Sequence, residues 1–264
     1  MVFHWQEDDG TALCHRIHAL LDSGNHNTFE MSVAWVRLSG LHALNNGDSE
    51  NNPLTDFISN GNTVRVTTGV GFQTSVEGLR ALLNIGAEVY VHHHDKANRR
   101  GGNRLFHPKM YYFNGAEKVL LIGSNNLTHS GLRNNFEASI ELNSKNNDNV
   151  QWQEIENYFV EMQTPSTPGN PTRTIHVDSE DVIQQLLNDG LIQSEKTISK
   201  NMRKAAHKGR SGNRRSNIFD AADILPPTTS SDVISAAARP PEPPESEPEP
   251  EPPEPEPEPE PPII

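Results

Sequence analysis

Cysteine and long apolar runs are what this sequence has least of. Cys14 is the single cysteine among 264 residues, so no disulfide can form within the chain, and a reducing compartment is expected. No apolar run reaches 18 residues, the length that a membrane-spanning helix requires. The opening residues MVFHWQED lack a basic stretch followed by an apolar one, the pattern of a signal peptide. These absences predict a soluble, cytoplasmic protein that makes no contact with a membrane.

Apolar residues are also scarce, at 33% of the chain, and the shortfall is concentrated at the C-terminus. From Pro240 onward the chain is almost entirely proline and glutamate, a composition that cannot form a core. This tail holds nine glutamates and no lysine or arginine, so residues 1–239 carry about -4 of the formal charge of -13. We expect the tail to be extended and disordered, and it is a candidate for recruiting a partner protein.

Strand and helix patterns alternate along the first two thirds of the chain. Segments rich in β-formers predict strands at 29–38, 63–68, 87–91, 106–113, 119–122 and 136–142. Apolar residues at helical spacing predict helices at 11–21, 75–85 and 151–162. This alternation predicts an α/β fold, an α/β/α sandwich built on a mixed sheet.

The composition changes after residue 163. The stretch TPSTPGNPT at 164–172 is typical of a linker, and two short helices are predicted after it. A basic stretch follows, made of Lys196, Lys200, Arg203, Lys204, Lys208, Arg210, Arg214 and Arg215. We therefore predict a main domain over 1–163, a linker and helical basic extension over 164–215, and a disordered segment over 216–264.

The most specific pattern in the chain begins with His107-Pro108-Lys109. Side chains two positions apart on an extended segment point to the same side, so the imidazole and the ammonium are expected to lie together. Gly123-Ser124-Asn125-Asn126 follows, and then Glu137. A nucleophilic histidine beside a lysine that binds phosphate oxygens suits phosphoryl transfer, and Ser124 and Asn126 would add neutral donors.

The run FHPKMYYFNGAEKVLLIGSNNLTHSGLRNNFEASIEL resembles the phospholipase D superfamily, whose signature is His-x-Lys, then Gly-Ser-x-Asn and, in its nucleases, a later Glu. The resemblance covers roughly residues 29–142 and is closer to the DNA-cleaving branch than to the lipid-cleaving one. It implies that residues 1–163 form a phospholipase D-like catalytic domain. The family signature places an Asp five residues after the Lys, and here that position is Asn114.

The resemblance implies a role for each motif residue. His107 attacks phosphorus and forms a phosphohistidine, Lys109 and Asn126 hold the non-bridging oxygens, and Ser124 adds a hydrogen bond. Glu137 accepts a proton from the far ring nitrogen of His107 and so fixes its tautomer.

The chain has one His-x-Lys, whereas this family builds its active site from two. One imidazole must attack while another delivers a proton to the leaving oxygen. We therefore expect a homodimer with paired His107 residues beside its twofold axis. No cofactor and no metal are expected, because the lysines and asparagines supply the electrostatic stabilisation.

Other polar residues are candidates for substrate binding or for a metal. Arg104, His129 and Arg133 flank the motif, and Lys204 and Arg210 lie in the basic stretch; a solvated loop or helix face is the alternative for all of these. His92-His93-His94 invites a metal interpretation, but neighbouring strand residues point to opposite faces. Trp35, Trp152 and Cys14 are predicted to be core.

These patterns together predict a metal-independent phosphodiesterase, a DNA endonuclease of restriction or defence type. Three alternatives stay open at this point: a phospholipid-acting enzyme, a catalytically silent nucleic-acid-binding module, and a regulatory subunit of a larger complex. Neither the strand form of the substrate nor a recognition sequence can be inferred from the residues.

Overall fold

The computed structural model describes residues 1–7, 9–45, 53–71, 73–94, 105–147, 149–167 and 172–210. Its strands are β1 Val2–Gln6, β2 His26–Val33, β3 Thr63–Gly69, β4 Glu88–His94, β5 Lys109–Gly115, β6 Val119–Gly123, β7 Glu137–Asn143 and β8 Thr172–Val177. Its α-helices are α1 Leu13–Leu21, α2 Leu38–Leu44, α3 Pro53–Ser59, α4 Val76–Asn84, α5 Trp152–Gln163, α6 Glu180–Asn188 and α7 Glu195–Arg210.

The eight strands form one mixed sheet in the order β1-β7-β6-β5-β2-β3-β4-β8. Strands β2, β3 and β4 are parallel to one another, and every other pairing is antiparallel. This confirms the predicted mixed α/β fold. The antiparallel half, β5 to β7 with β1 at its edge, carries the motif residues.

Helices cover both faces of the sheet. The buried residues of β5 point alternately to these two faces, so each face has its own core. Tyr111 and Phe113 face the larger core, which α1, α4 and α6 close with residues such as Ile17, Leu79 and Ile183. Tyr112, between them, faces a smaller core on the other side, where it stacks on Phe159 of α5 at 5.6 Å between ring centroids. The molecule is therefore a three-layer α/β/α sandwich.

Most of the predicted elements are confirmed within a few residues of their bounds. The helix predicted at 75–85 is α4, and the side chain of Ser75 caps it by accepting the N–H of Gly78 at 3.0 Å. The strand predicted at 63–68 is β3. Cys14 is buried on α1, as predicted.

The strand predicted at 29–38 is too long, because β2 ends at Val33. After that residue the chain leaves the sheet: Val36 forms an isolated bridge with Leu127, and the N–H of Arg37 donates to the Leu127 carbonyl at 3.0 Å. Leu38 then begins α2 instead of ending a strand. This departure from the sheet brings the 35–37 segment to the motif.

Four elements were not predicted: β1, α2, α3 and β8. Strand β8 pairs with β4 in the main sheet, so the segment after the linker contributes a strand as well as helices. Helix α6 packs beside α4, and its buried residues belong to the larger core. The domain boundaries at 163 and 215 stay predictions, and the tail lies outside the described residues. Within the described ranges, no helix is both long and apolar enough to cross a bilayer.

Candidate active site

Three adjacent strand ends bring the motif residues to one edge of the sheet. Lys109 is the first residue of β5, Gly123 the last of β6, and Glu137 the first of β7. Because these strands are antiparallel neighbours, the start of β5, the end of β6 and the start of β7 coincide at that edge. The residues that the signature separates by up to thirty positions therefore meet.

His107 and Lys109 are in contact, as their spacing predicted. The Lys109 Nζ lies 2.7 Å from Nδ1 of His107 and 3.0 Å from Nε2, and it donates to the His107 carbonyl at 3.2 Å. Pro108, between them, immediately precedes β5, where a residue without an N–H costs no ladder hydrogen bond. Lys109 is buried and His107 is exposed, so the imidazole is the member of the pair that a substrate can reach.

The charge on Lys109 affects the protonation of His107. Partial burial, and then the neighbouring ammonium, lower the pKa of His107 below its usual value of 6.5. Desolvation lowers the pKa of Lys109, against the opposing effect of the Glu137 carboxylate. A lowered pKa keeps the imidazole of His107 neutral near pH 7, which is the state in which it can act as a nucleophile.

Ser124 and Glu137 form the second pair of the site. The Ser124 hydroxyl donates to Glu137 Oε2 and accepts the N–H of Ala138 at 3.2 Å. Asn135 donates to the other carboxylate oxygen at 3.0 Å. Within the described residues of one subunit, Glu137 makes these contacts and no hydrogen bond to His107. The contact that the resemblance implied between Glu137 and His107 is therefore not made within the subunit, and the catalytic role of Glu137 stays a prediction.

The two adjacent asparagines of the motif have different surroundings. Asn125 is buried and holds the turn together: it accepts from Ser139 at 2.8 Å, donates to the Gly131 carbonyl at 2.8 Å, and accepts at its own carbonyl from Tyr111 at 3.0 Å. Asn126 accepts the N–H of Trp35 at its Oδ1, at 3.2 Å. This bond fixes the amide, so its NH2 end is the one that can donate to a phosphate oxygen.

Glycine is required where the turn is tightest. A Cβ on Gly123 would lie 2.3 Å from the Ala138 carbonyl oxygen, and one on Gly131 would lie 2.6 Å from that of Asn126. Both contacts are with backbone, which cannot move aside. The close approach of β6 to β7, on which the Ser124–Glu137 pair depends, therefore needs the glycine of the motif.

Trp35 lines the site, so its assignment to the core was wrong. Its ring lies edge-on to His107 at 5.8 Å between centroids, and the Lys109 ammonium lies 6.0 Å from the ring centre. Its side chain is only partly buried, because β2 has already ended at Val33. Trp152, by contrast, packs against the smaller core beside Tyr112.

Asn114, the departure from the family signature, lies far from this edge. It pairs with Thr28 near the other end of β5. Five residues of extended strand place it about 17 Å from Lys109. The carboxylate that the signature would put there is therefore not part of the set around His107.

The candidate substrate-binding residues are dispersed. Arg104 lies outside the described residues. His129 donates its backbone N–H to Ser39 at 3.5 Å, and Arg133 reaches back to the Ala43 carbonyl at 3.5 Å, so both are engaged with the α2 region. Lys204 is exposed on α7, and Arg210 is the last residue of that helix, its side chain not described.

Helix α7 is anchored to the segment that carries Trp35. Arg37 donates to Glu195, the first residue of α7, through Nε at 3.0 Å and Nη2 at 2.5 Å. The other oxygen of Glu195 accepts the N–H of Leu38 at 3.0 Å. Both side chains of the pair are largely buried. No local pattern in the sequence predicts this contact, which holds the basic helix beside the segment that carries Trp35.

The three consecutive histidines end β4. His92 contacts the hydroxyl of Thr174 on β8 at 3.1 Å and packs against the ring of Phe106. In the part of the chain that the structure describes, no group of three or more His, Cys, Asp or Glu side chains is placed to hold a metal ion.

A family model described as "Cardiolipin synthase, PLD-like domain" matches residues 52–163, a range that contains all five motif residues. A search of curated proteins found no significant match.

Three solved structures illustrate the matches that a structure search found. NucT from Helicobacter pylori is 12% identical, with 56% of this chain and 87% of that chain covered and a TM-score of 0.38. The phospholipase D family member Nuc from Salmonella typhimurium is 12% identical, with 67% and 99% covered and a TM-score of 0.44. The phosphatidylserine synthase of Haemophilus influenzae is 13% identical, with 79% and 45% covered and a TM-score of 0.48.

Proposed function

Because the chain belongs to the phospholipase D superfamily, we propose that it is a metal-independent phosphodiesterase that cleaves DNA as a homodimer. The observation that carries this proposal is the contact between His107 and Lys109 at the strand edge that also presents Ser124, Asn126 and Glu137. A neutral, exposed imidazole beside a buried ammonium has the chemistry of a phosphorus nucleophile with its oxyanion partner.

The reaction proceeds in two balanced steps. In the first, a ring nitrogen of His107 attacks phosphorus, the P–N bond forms, and the P–O bond to the leaving strand breaks as a protonated second imidazole gives that oxygen its proton. In the second, this imidazole, now neutral, takes a proton from water while the water oxygen attacks phosphorus. The P–N bond then breaks and His107 is restored.

Charge on the phosphoryl oxygens is stabilised by groups that the fold holds in place. Lys109 is buried against the imidazole, and the amide of Asn126 is oriented by its bond to the Trp35 backbone. Donors fixed in advance of the reaction cost no reorganisation when charge develops. Ser124 supplies a further donor, because its hydroxyl hydrogen can turn from Glu137 to the substrate.

The second imidazole comes from a second copy of the chain. The sequence contains one His-x-Lys, and one histidine cannot act as nucleophile and as general acid at the same moment. An isologous dimer supplies both roles with one gene product. Each subunit then contributes His107 and Lys109 to one shared site.

DNA is the substrate that the charge distribution favours. Helix α7 is 16 residues long and exposes Lys196, Lys200, Arg203 and Lys204. It extends about 24 Å, enough to follow several phosphates by releasing their counterions. Its anchorage through Glu195 fixes this basic surface relative to Trp35 and the site. A restriction or defence nuclease, in which a partner supplies sequence recognition, fits this arrangement.

The test is cleavage in chelator. Purified protein is incubated in EDTA with plasmid and with single-stranded DNA, beside His107→Ala and, as a control that leaves the site intact, Val160→Ser on the exposed face of α5. We expect wild type and Val160→Ser to cleave and His107→Ala to lose at least 1,000-fold, on the order of the loss for a removed nucleophile. Equal cleavage by His107→Ala, or none by wild type, contradicts the proposal.

Phospholipid is the second candidate substrate, because the description of the matching family model names a lipid enzyme. The same preparations are therefore incubated with mixed anionic and zwitterionic vesicles, and free head groups are measured. Head-group release by wild type, with DNA left intact, would replace the DNA assignment while keeping the phosphodiesterase chemistry.

A further inference from the structure

Helix α7 presents a row of cations to solvent. Four basic residues at spacings of three and four positions are exposed along it: Lys196, Lys200, Arg203 and Lys204. With 3.6 residues per turn, they lie within about 100° of the helix circumference. Glu195 and Ile198, on the other side of the helix, are buried. We call the four exposed residues the basic stripe.

The basic stripe lacks the acidic partners that other surface cations have. In the part of the chain that the structure describes, none of its four side chains takes part in an ion pair. Lys118 and Lys145, by contrast, pair with Glu156 and Glu117. The like charges of the stripe repel one another along the helix, so an added anion would relieve that repulsion.

The sequence that follows α7 supplies a matching anion. Residues 240–264, which lie outside the described residues, contain nine glutamates and no lysine or arginine. We call them the glutamate tail. The 29 residues at 211–239 contain three arginines and three aspartates, so they carry no net charge. A neutral spacer therefore joins the most basic helix of the chain to its most acidic segment.

The charges of the two segments also have similar spacing. Lys196, Lys200 and Lys204 follow one another at a rise of about 6 Å along α7. Glutamate occupies alternate positions from Glu245 to Glu251, and again from Glu254 to Glu260. Alternate residues of a polyproline II segment, the conformation that proline favours, lie about 6 Å apart along its axis. Successive carboxylates can therefore reach successive cations.

We propose that the glutamate tail binds the basic stripe of its own chain and competes with DNA for it. This inference rests on the proposed function, which assigns the stripe to DNA. Exposed ion pairs are individually weak and are screened by salt, so a separate peptide of this composition would bind loosely. A 29-residue spacer, taken as a flexible coil, spans about 30 Å and holds the tail at an effective concentration on the order of 1 mM. Attachment to the same chain thus compensates for the weakness of each pair.

The contact is tested by cross-linking the full-length protein with a carbodiimide, which joins a lysine amine directly to a carboxylate in contact with it. Linked peptides are identified by mass spectrometry at about 50 mM and about 500 mM salt. Lys145 is the matched control, because it is an exposed lysine that already has a carboxylate partner. A mixture of isotopically light and heavy protein shows whether links form within one chain.

We expect tail glutamates linked to lysines of the basic stripe within one chain, with about tenfold fewer links at high salt. Links from the tail to Lys145 should be rare. Tail links spread evenly over all lysines, or formed only between chains, overturn the proposal.

Competition is tested by removing the charge of the tail while keeping its length and prolines. One variant changes all nine glutamates to glutamine, Glu242→Gln through Glu260→Gln, and its control changes the same nine to aspartate. Both carry His107→Ala, as does the parent, so that bound DNA stays intact. Fluorescence anisotropy in EDTA gives the affinity for a labelled single strand of about 20 nucleotides.

The glutamine variant should bind about tenfold more tightly than the parent at about 50 mM salt, and the aspartate variant like the parent. Its salt dependence should be steeper, because a displaced tail takes up cations and offsets those that DNA releases. With Lys200→Gln and Lys204→Gln also present, neutralising the tail should have a smaller effect. Equal affinities of the glutamine variant and the parent overturn the competition. If the tail cross-links to the stripe but neither protein binds DNA, the contact stands and the proposed DNA substrate fails.

Discussion

Lys109 is a buried ammonium in contact with the imidazole of His107, and this contact affects the protonation of the proposed nucleophile. Partial desolvation of the otherwise exposed His107 ring, and then the charge of Lys109, lower the pKa of His107 from 6.5. A neutral imidazole can attack phosphorus without first losing a proton. The imidazole of the second copy must instead be protonated to act as the general acid, so kcat/KM is expected to fall on both sides of a pH maximum.

The pH dependence of cleavage should show this shift. Because the lowered pKa keeps His107 neutral to more acidic pH, the acid limb of the kcat/KM profile is expected below pH 6.5. Lys109→Met removes the neighbouring charge, so its residual activity should show an acid limb moved upward. The check is the pH profile of kcat/KM, measured in EDTA on a short DNA duplex. An acid limb above pH 6.5 in wild type, or an acid limb at the same pH in Lys109→Met as in wild type, contradicts the assignment.

Trp35 is expected to position His107 through its edge-on ring contact. Trp35→Phe keeps an aromatic edge there and should retain most of the activity. Trp35→Ala leaves the imidazole free to turn, and a misplacement of about 1 Å costs on the order of 100-fold in kcat.

The readout that separates positioning from folding is the split between kcat and KM. Trp35→Ala should lower kcat with little change in melting temperature, whereas Trp152→Ala, in the smaller core, should lower the melting temperature at unchanged kcat for the folded fraction. Equal kcat for Trp35→Ala and wild type would show that the ring contact has no catalytic effect.

For single residues, the sequence predicted the pairing of His107 with Lys109 because strand alternation is a local rule. It did not separate the roles of Asn125 and Asn126, which differ only through partners distant in sequence, Ser139 and Trp35. Trp35 was assigned to the core for the same reason: nothing in its neighbours indicates that β2 ends two residues earlier.

At the scale of elements, the contact of Glu195 with Arg37 and the Leu38 N–H joins α7 to the segment leading into α2. Both side chains are largely buried, so loss of one charge leaves the other without compensation. Glu195→Gln should therefore lower the free energy of unfolding by about 3 kcal/mol.

The matched control is Glu180→Gln, which breaks the exposed ion pair with Arg80. That change should cost less than about 1 kcal/mol. Chemical denaturation measures both, and DNA binding over a range of salt measures the effect on α7. If α7 is released, Glu195→Gln should bind DNA more weakly with a shallower salt dependence. Equal stability losses in the two variants would contradict a buried anchor.

The elements that the sequence predicted are those with strong periodicity or a clear cap, such as β3 and α4. Those it missed depend on tertiary partners. Strand β8 follows a proline-rich stretch typical of a linker and is defined by its ladder with β4. Strand β1 exposes Phe3 and Trp5 and is defined by its ladder with β7, so its pattern does not resemble a buried strand.

In the proposed homodimer, the single His-x-Lys of each chain supplies half of one active site. The basic, exposed face of α7 is the surface suited to the DNA of the proposed reaction. Activity should therefore depend on protein concentration wherever the proposed dimer dissociates.

The stoichiometry of the covalent intermediate tests whether two His107 residues share one phosphorus. DNA is mixed with protein in EDTA, the reaction is stopped in alkaline denaturant within the first turnover, and the phosphorylated peptide is identified by mass spectrometry. We predict an adduct on His107 that approaches, and does not exceed, one for every two chains. An adduct on another residue, or one on every chain, would contradict a phosphorus shared between paired His107 residues.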